Sequence, residues 1–221
     1  MDEVELRNLM FTAASGEGPF VIRYPRGNGV TRDWRRPMET LPLGRGRILR
    51  EGKDLALLTI GPAGNDAAWA AEQAAGEGIS VLHADLRFAK PLDEGLLHRI
   101  GREFRQVITV EDGVVNGGVG AAVLAFMNRH GYPCRITMLG VEDRFVAHGT
   151  VAQLKEMCGY DAPGILRAIR EAGAERLTSP IDGRVTEQAD TADGPDTDCA
   201  VYPFRNGIES PGQERNETKQ D

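Results

Sequence analysis

Between Asp54 and Ala172, short apolar runs alternate with stretches of helical pattern, and this alternation limits the fold more than any other feature of the chain. Leu55–Ile60 is a continuous apolar run stopped by Gly61-Pro62, and Ala63–Ala75 after it is alanine-rich and reads as a helix. Ser80–Ala84, Val107–Val110 and Arg135–Leu139 read as further strands. Asp93–Phe104, Gly117–His130, Thr150–Met157 and Ala162–Ala172 read as helices, with Asp93 in capping position after Pro91-Leu92. Strands that alternate with helices of this length predict βαβ units. The expected fold class is therefore α/β, a parallel sheet covered by helices on both faces and joined by right-handed crossovers.

The 221 residues have room for one good domain with appendages. A hydrophobic share of 41% and a charged share of 27% are ordinary for a globular chain. The apolar runs are far shorter than a membrane span, and no signal segment opens the sequence, so no membrane role is expected. Cys134, Cys158 and Cys199 are scattered and show no metal-ligand spacing. A reduced, cytoplasmic setting without zinc or a disulfide framework follows. From Thr178 onward acids outnumber bases ten to four, so the tail holds most of the net charge of −7. The body is close to neutral, and nucleic acid is not an expected partner.

The ends are less regular. Asp2–Ala14 reads as a helix with a stripe of Val4, Leu6, Leu9, Met10 and Ala13, and Phe20–Tyr24 reads as a buried strand. One helix and one strand cannot cover both faces of a sheet. Residues 1–30 are accordingly expected to be the end of a second α/β domain whose beginning is absent. After the strand come Arg23, Arg26 and Gly27-Asn28-Gly29, a basic, glycine-permitted loop at a strand's carboxyl end. Open α/β sheets place ligand groups there, and a guanidinium forks well onto phosphate or carboxylate. The charges alone fit a solvated surface pair equally well. Residues 31–53 read as a linker broken by Pro37 and Pro42, with Leu43–Leu49 as a short edge strand. Residues 54–176 are the main domain, and 177–221 form an acidic tail without periodicity, expected to be disordered.

Two loops carry motif-like residues. Glu111-Asp112-Gly113 followed by Asn116-Gly117-Gly118-Val119-Gly120 leaves a strand and opens a helix, where exposed amides can receive an anion. The spacing is wrong for a dinucleotide fingerprint, so helix–strand packing or an interface turn is the preferred reading. Asp85–Asp93 reads as a structural loop locked by opposite charges. His83, His98, His130 and His148 lack partners at metal-ligand spacing, and no nucleophile elbow, P-loop or carboxylate pair is found.

RYPRGNGV, LPLGRGRIL, DLRFAKPLD, VEDGVVNGGVGAAV and DRFVAHGT occur in this order. Together they resemble the C-terminal part of the 1-deoxy-D-xylulose-5-phosphate synthase family, thiamine-diphosphate enzymes of the transketolase superfamily. The resemblance covers roughly Asp2 to Ala174. It implies a transketolase C-terminal domain and a homodimeric transferase in which pyruvate loses CO2 and is joined to glyceraldehyde 3-phosphate, for isoprenoid, thiamine and pyridoxal synthesis. Thiamine diphosphate and Mg2+ would belong to upstream domains, and none is expected to bind this chain alone. By the same resemblance Arg26 contacts the aldehyde's phosphate, with Arg23 as a supporting neighbour. No catalytic or metal-binding residue carries over, and Glu111 is assigned to packing or the dimer interface. The chain alone is expected to be inactive; the alternative is a non-catalytic assembly module or split subunit.

Overall fold

The computed structural model describes residues 1–178 apart from Arg26, so the acidic-tail expectation lies outside the described residues. Eleven elements follow one another: α1 (Glu3–Ser15), β1 (Arg47–Arg50), β2 (Leu55–Ile60), α2 (Ala63–Gly76), β3 (Val81–Asp85), α3 (Glu94–Glu103), β4 (Gln106–Val114), α4 (Val119–Arg129), β5 (Arg135–Val141), α5 (Val151–Cys158) and α6 (Ala162–Thr178). The sheet order is β1-β3-β2-β4-β5. The four strands from β2 to β5 run parallel, and β1 pairs antiparallel with β3 at the edge. The sheet is thus mixed rather than wholly parallel, because the short run after Gly46 returns along β3 without a crossover helix.

Both faces of the sheet's centre, β2, β3 and most of β4, are buried, which is why Leu55–Ile60 reads as a continuous apolar run. Leu55 and Leu57 of β2 face one layer with Val81, Ile108 and Val110, under α2 and α6. Ala56 and Leu58 face the other with Leu82, Ala84 and Val107, under α3 and α4. Burial of each such leucine contributes about 2 kcal/mol. The buried face of α2 is almost all alanine, Ala63, Ala67, Ala70, Ala71 and Ala74, and this lets α6 approach closely with Ile165 and Ile169. From β2 the chain moves one way to β3 through α2, and from β4 the other way to β5 through α4 on the opposite face. Opposite directions on opposite faces are what a single hand of crossover requires. The reversal falls between β2 and β4, and it puts the carboxyl end of β4 at the sheet's switch point.

The first 46 residues depart most from the sequence reading. Phe20–Tyr24 is not a strand: no neighbouring strand pairs with it among the described residues, and Val21 is 93% exposed. Phe20 is half-buried, edge-on to Phe88. Helix α1 forms as expected, with Asp2 capping it through the Glu5 amide, but the apolar stripe is not its buried face. The buried residues are Glu5, Asn8 and Thr12, while Met10 is 57% exposed. Glu5 is met by the Arg47 and Arg87 guanidinium groups, and the other two by backbone. Glu39 N–H donates to Asn8 Oδ1 at 3.1 Å, Leu41 N–H to Thr12 Oγ1 at 2.8 Å, and the Arg7 guanidinium to the carbonyls of Trp34 and Arg36. The segment expected as linker therefore wraps α1, then enters the sheet as β1. No described helix is long and apolar enough to cross a membrane.

Candidate functional site

β4 is longer than its apolar core suggests and carries Glu111, Asp112 and Gly113 within the strand. Its carboxyl end does three things. The Glu111 carboxylate, nearly buried, accepts from Val119 N–H at 3.0 Å and Gly120 N–H at 2.9 Å, the first amides of α4. The N-cap residue Gly118 has no side chain to do this, so the strand supplies the anion that the helix terminus favours. Gly118 and Gly120 are small because they must be. A Cβ at Gly118 would stand 2.4 Å from Glu111 Oε2, and one at Gly120 would stand 2.5 Å from Thr109 Oγ1. This bears out the packing role read for the glycine run and for Glu111.

Asp112, next along, turns its carboxylate to the other face. The Tyr160 hydroxyl donates to its Oδ1 at 2.8 Å, which ties β4 to the loop between α5 and α6. Burial, and then that hydrogen bond, push the Tyr160 hydroxyl above its ordinary range, so it stays a donor. The main-chain carbonyl of Asp112 accepts from the Arg23 guanidinium, which lies over Gly113. Arg23 lies at the carboxyl end of β4; the strand of its own at whose end it was expected is not formed. Arg26 lies outside the described residues.

The loop after Arg23 is held again at its far end. The Glu3 carboxylate accepts from Val30 N–H through Oε1 at 2.9 Å and from Thr31 N–H through Oε2 at 2.8 Å. These backbone bonds, Thr31's first, hold the Glu3 carboxyl below the usual carboxylate range. Gly29 admits the approach, since a Cβ there would fall 2.0 Å from Glu3 Oε1.

A second polar cluster fixes α1 to the sheet. Glu5 pairs with Arg47 at 3.1 Å and with Arg87 at 2.6 Å, and Arg47 also reaches Asp85 at 3.2 Å. The Arg87 Nε contact is an ion pair off the hydrogen-bond axis, and both atoms lack an aligned partner. Asp85 in turn accepts from the Arg87 amide at 3.1 Å, with Arg87 in the left-handed region at φ 58. Beside it, buried His83 shares a 3.0 Å hydrogen bond with Thr59 Oγ1, and desolvation lowers its pKa to about 4. In the Asp85–Asp93 loop the cap expected at Asp93 is formed. Asp93 caps α3 through the Leu96 amide at 3.0 Å and accepts from Gly46 N–H at 3.0 Å. His148 is exposed in the loop before α5. No group of three potential metal ligands converges among the described residues.

Sequence reasoning found Arg23 and Glu111 but missed Glu3, Glu5, Asp112 and Tyr160. An Asp-Glu-x-Glu start to a helix looks like ordinary first-turn acidity, and nothing local says that two of these carboxylates bind the chain beyond the helix.

Residues 44–165 match the family model "Transketolase, C-terminal domain". The chain belongs to the transketolase C-terminal domain family. A 1-deoxy-D-xylulose-5-phosphate synthase of Bacteroides fragilis is 52% identical over 184 residues, 82% of this chain and 28% of that protein. One of Heliobacterium modesticaldum is 39% identical over 181 residues, 81% of this chain and 28% of that protein. This transketolase C-terminal domain chain thus resembles the C-terminal portion of such synthases, and spans 28% of the length of either relative. Among solved structures, one described as "Split gene transketolase, inactive beta4 tetramer" superposes with a TM-score of 0.58 at 32% identity, over 62% of this chain and 44% of that one.

Proposed function

We propose that the chain is the C-terminal part of a thiamine-diphosphate-dependent 1-deoxy-D-xylulose-5-phosphate synthase, a cytoplasmic homodimer that joins pyruvate to glyceraldehyde 3-phosphate with loss of CO2. One observation carries this reading: near 50% identity to synthases of that name over about four-fifths of the chain. The described residues do not themselves fit thiamine diphosphate or Mg2+. The helix terminus best placed for a diphosphate, at α4, is occupied by Glu111, and no three ligating groups converge among the described residues. The chain's own part is therefore to bind and orient substrate. Arg26 anchors the phosphate of the aldehyde, and Arg23, engaged with the Asp112 carbonyl, supports it. A charge-assisted contact of this kind is worth about 1.5–3 kcal/mol.

The chain alone does not turn over. Purified chain mixed with pyruvate, glyceraldehyde 3-phosphate, thiamine diphosphate and Mg2+ is expected to give no 1-deoxy-D-xylulose 5-phosphate by mass spectrometry. Addition of a polypeptide carrying the first two domains of a synthase is expected to give it. Product from the chain alone, or none from the mixture, contradicts the proposal. A second reading, a split subunit or assembly module, is favoured by the structural neighbour, itself a split-gene transketolase chain described as an inactive tetramer. Light scattering on the purified chain separates the two: a self-assembled oligomer that resists the added domains supports the module.

A further inference from the structure

We infer that the cavity between β1, β3 and α2 is a binding site for a free α-amino acid with a short, hydroxyl-bearing side chain. It lies at the β1 edge of the sheet, on the far side of β2 from β4, and it does not depend on reading the chain as part of a synthase. The cavity has a volume of about 230 Å³ and is lined by Leu49, Arg50, Ala68, Ala71, Glu72 and His83. Ala68, Ala71 and Glu72 follow one another at i, i+3 and i+4 along one side of α2, and the two alanines leave the space open. Arg50 and His83 stand opposite each other in the β1–β3 ladder, so their side chains share a face of the sheet.

His83 is the floor, only 1% exposed. Its Nε2 is engaged with Thr59 Oγ1 at 3.0 Å, while Nδ1 has no hydrogen-bond partner among the described residues. A buried polar atom calls for a partner, and a bound molecule can supply it. Burial lowers the His83 pKa to about 4, so the floor is polar but uncharged at neutral pH. A hydroxyl suits it whichever ring nitrogen carries the proton, because a hydroxyl both donates and accepts. At the mouth, Arg50 and Glu72 are exposed, and neither side chain makes an ion pair or hydrogen bond among the described residues. A ligand with one charge meets an attraction and a repulsion there. A zwitterion meets two attractions, its carboxylate on the Arg50 guanidinium and its ammonium on Glu72. A cavity of about 150 Å³ admits benzene, so this one has room for a molecule the size of threonine.

The test is a titration of the purified chain with L-threonine, followed by calorimetry and by proton–nitrogen NMR of the His83 imidazole. Saturable binding with a Kd of about 1 mM or tighter is expected, with the His83 signals shifting. L-Valine, which has the same shape without the hydroxyl, should bind about fivefold more weakly. β-Hydroxybutyrate, which is threonine without its ammonium group, should bind at least about tenfold more weakly. Arg50→Gln and Glu72→Gln, both at exposed positions, should each weaken threonine roughly tenfold or more. Ala68→Phe, at an exposed position of α2, should block the mouth and abolish binding while the melting temperature stays near that of the parent. The inference is overturned by no saturable binding of threonine below about 20 mM, by β-hydroxybutyrate binding as tightly as threonine, or by a folded Ala68→Phe variant that keeps the parent's affinity.

Discussion

Replacing Glu111 by alanine removes the side-chain acceptor at the start of α4, and the cost follows from two hydrogen bonds. Gly120 N–H is buried, and its bond of 2.9 Å ends on a charged oxygen. A buried donor left without a partner costs about 1–3 kcal/mol, toward the upper end when the lost acceptor is ionised. Val119 N–H, bonded at 3.0 Å, is only part-buried and water recovers some of its loss. The interaction of the carboxylate with the helix terminus adds up to about 1 kcal/mol. Together these give about 3 kcal/mol, or a fall in melting temperature of roughly 6–12 °C for a domain of this size. Glu111→Gln retains one acceptor and the packing, and should lose about 1–2 kcal/mol. The assay is thermal and urea denaturation of both variants, with hydrogen exchange read at Val119 and Gly120. An alanine variant within about 1 kcal/mol of the parent, with both amides still protected, would show that the strand does not cap the helix.

Other outcomes follow from single groups. His83 is kept neutral in the fold with a pKa of about 4 against an ordinary 6.5, so the unfolded chain takes up its proton first as the pH falls. Stability should drop by about 3 kcal/mol between pH 6.5 and 4, and His83→Gln should flatten that part of the profile in urea titrations. Glu5→Ala leaves Arg47 and Arg87 facing each other without their shared carboxylate, and should cost about 3–5 kcal/mol, seen as early proteolytic cleavage of α1. Thr109 Oγ1 is buried without a hydrogen-bond partner among the described residues, so Thr109→Val should be neutral or raise the melting temperature. Gly120→Ala, aimed at that hydroxyl and at Met138, should lose about 1–3 kcal/mol by overpacking.

The sheet and its helices were legible because the central strands β2, β3 and β4 are buried on both faces and each helix then has one face to cover. Leu55–Ile60 could be read as a strand from its unbroken apolar run and its stop at Gly61-Pro62, and Asp93 as a cap from its place before the helix. β4 was read short because Glu111 and Asp112 look like a strand's end, whereas their backbones continue the ladder while their side chains serve α4 and Tyr160. Phe20–Tyr24 was read as a strand because its composition is right, but a strand exists only through a partner's hydrogen bonds. The apolar stripe of α1 was likewise real in the sequence. It did not predict burial, because Glu5 finds two arginines, Asn8 and Thr12 find backbone groups, and Val4, Leu6 and Leu9 are only half-covered. Of the candidate site, the arginines were legible as chemistry; the Glu3 carboxylate that holds their loop was not, since its partners lie 27 and 28 residues away.

Besides the Trp34 ring under the Arg7 guanidinium and the buried Leu41, the segment coiled around α1 is gripped by its peptide groups: the amides of Val30, Thr31, Glu39 and Leu41 and the carbonyls of Trp34 and Arg36. A grip of that kind does not distinguish one amino acid from another. The identities of most residues between 32 and 40 can therefore drift without loosening the wrap, whereas a proline introduced at 30, 31, 39 or 41 deletes a tether outright. What this stretch must keep is its length and its amides, not the side chains between them.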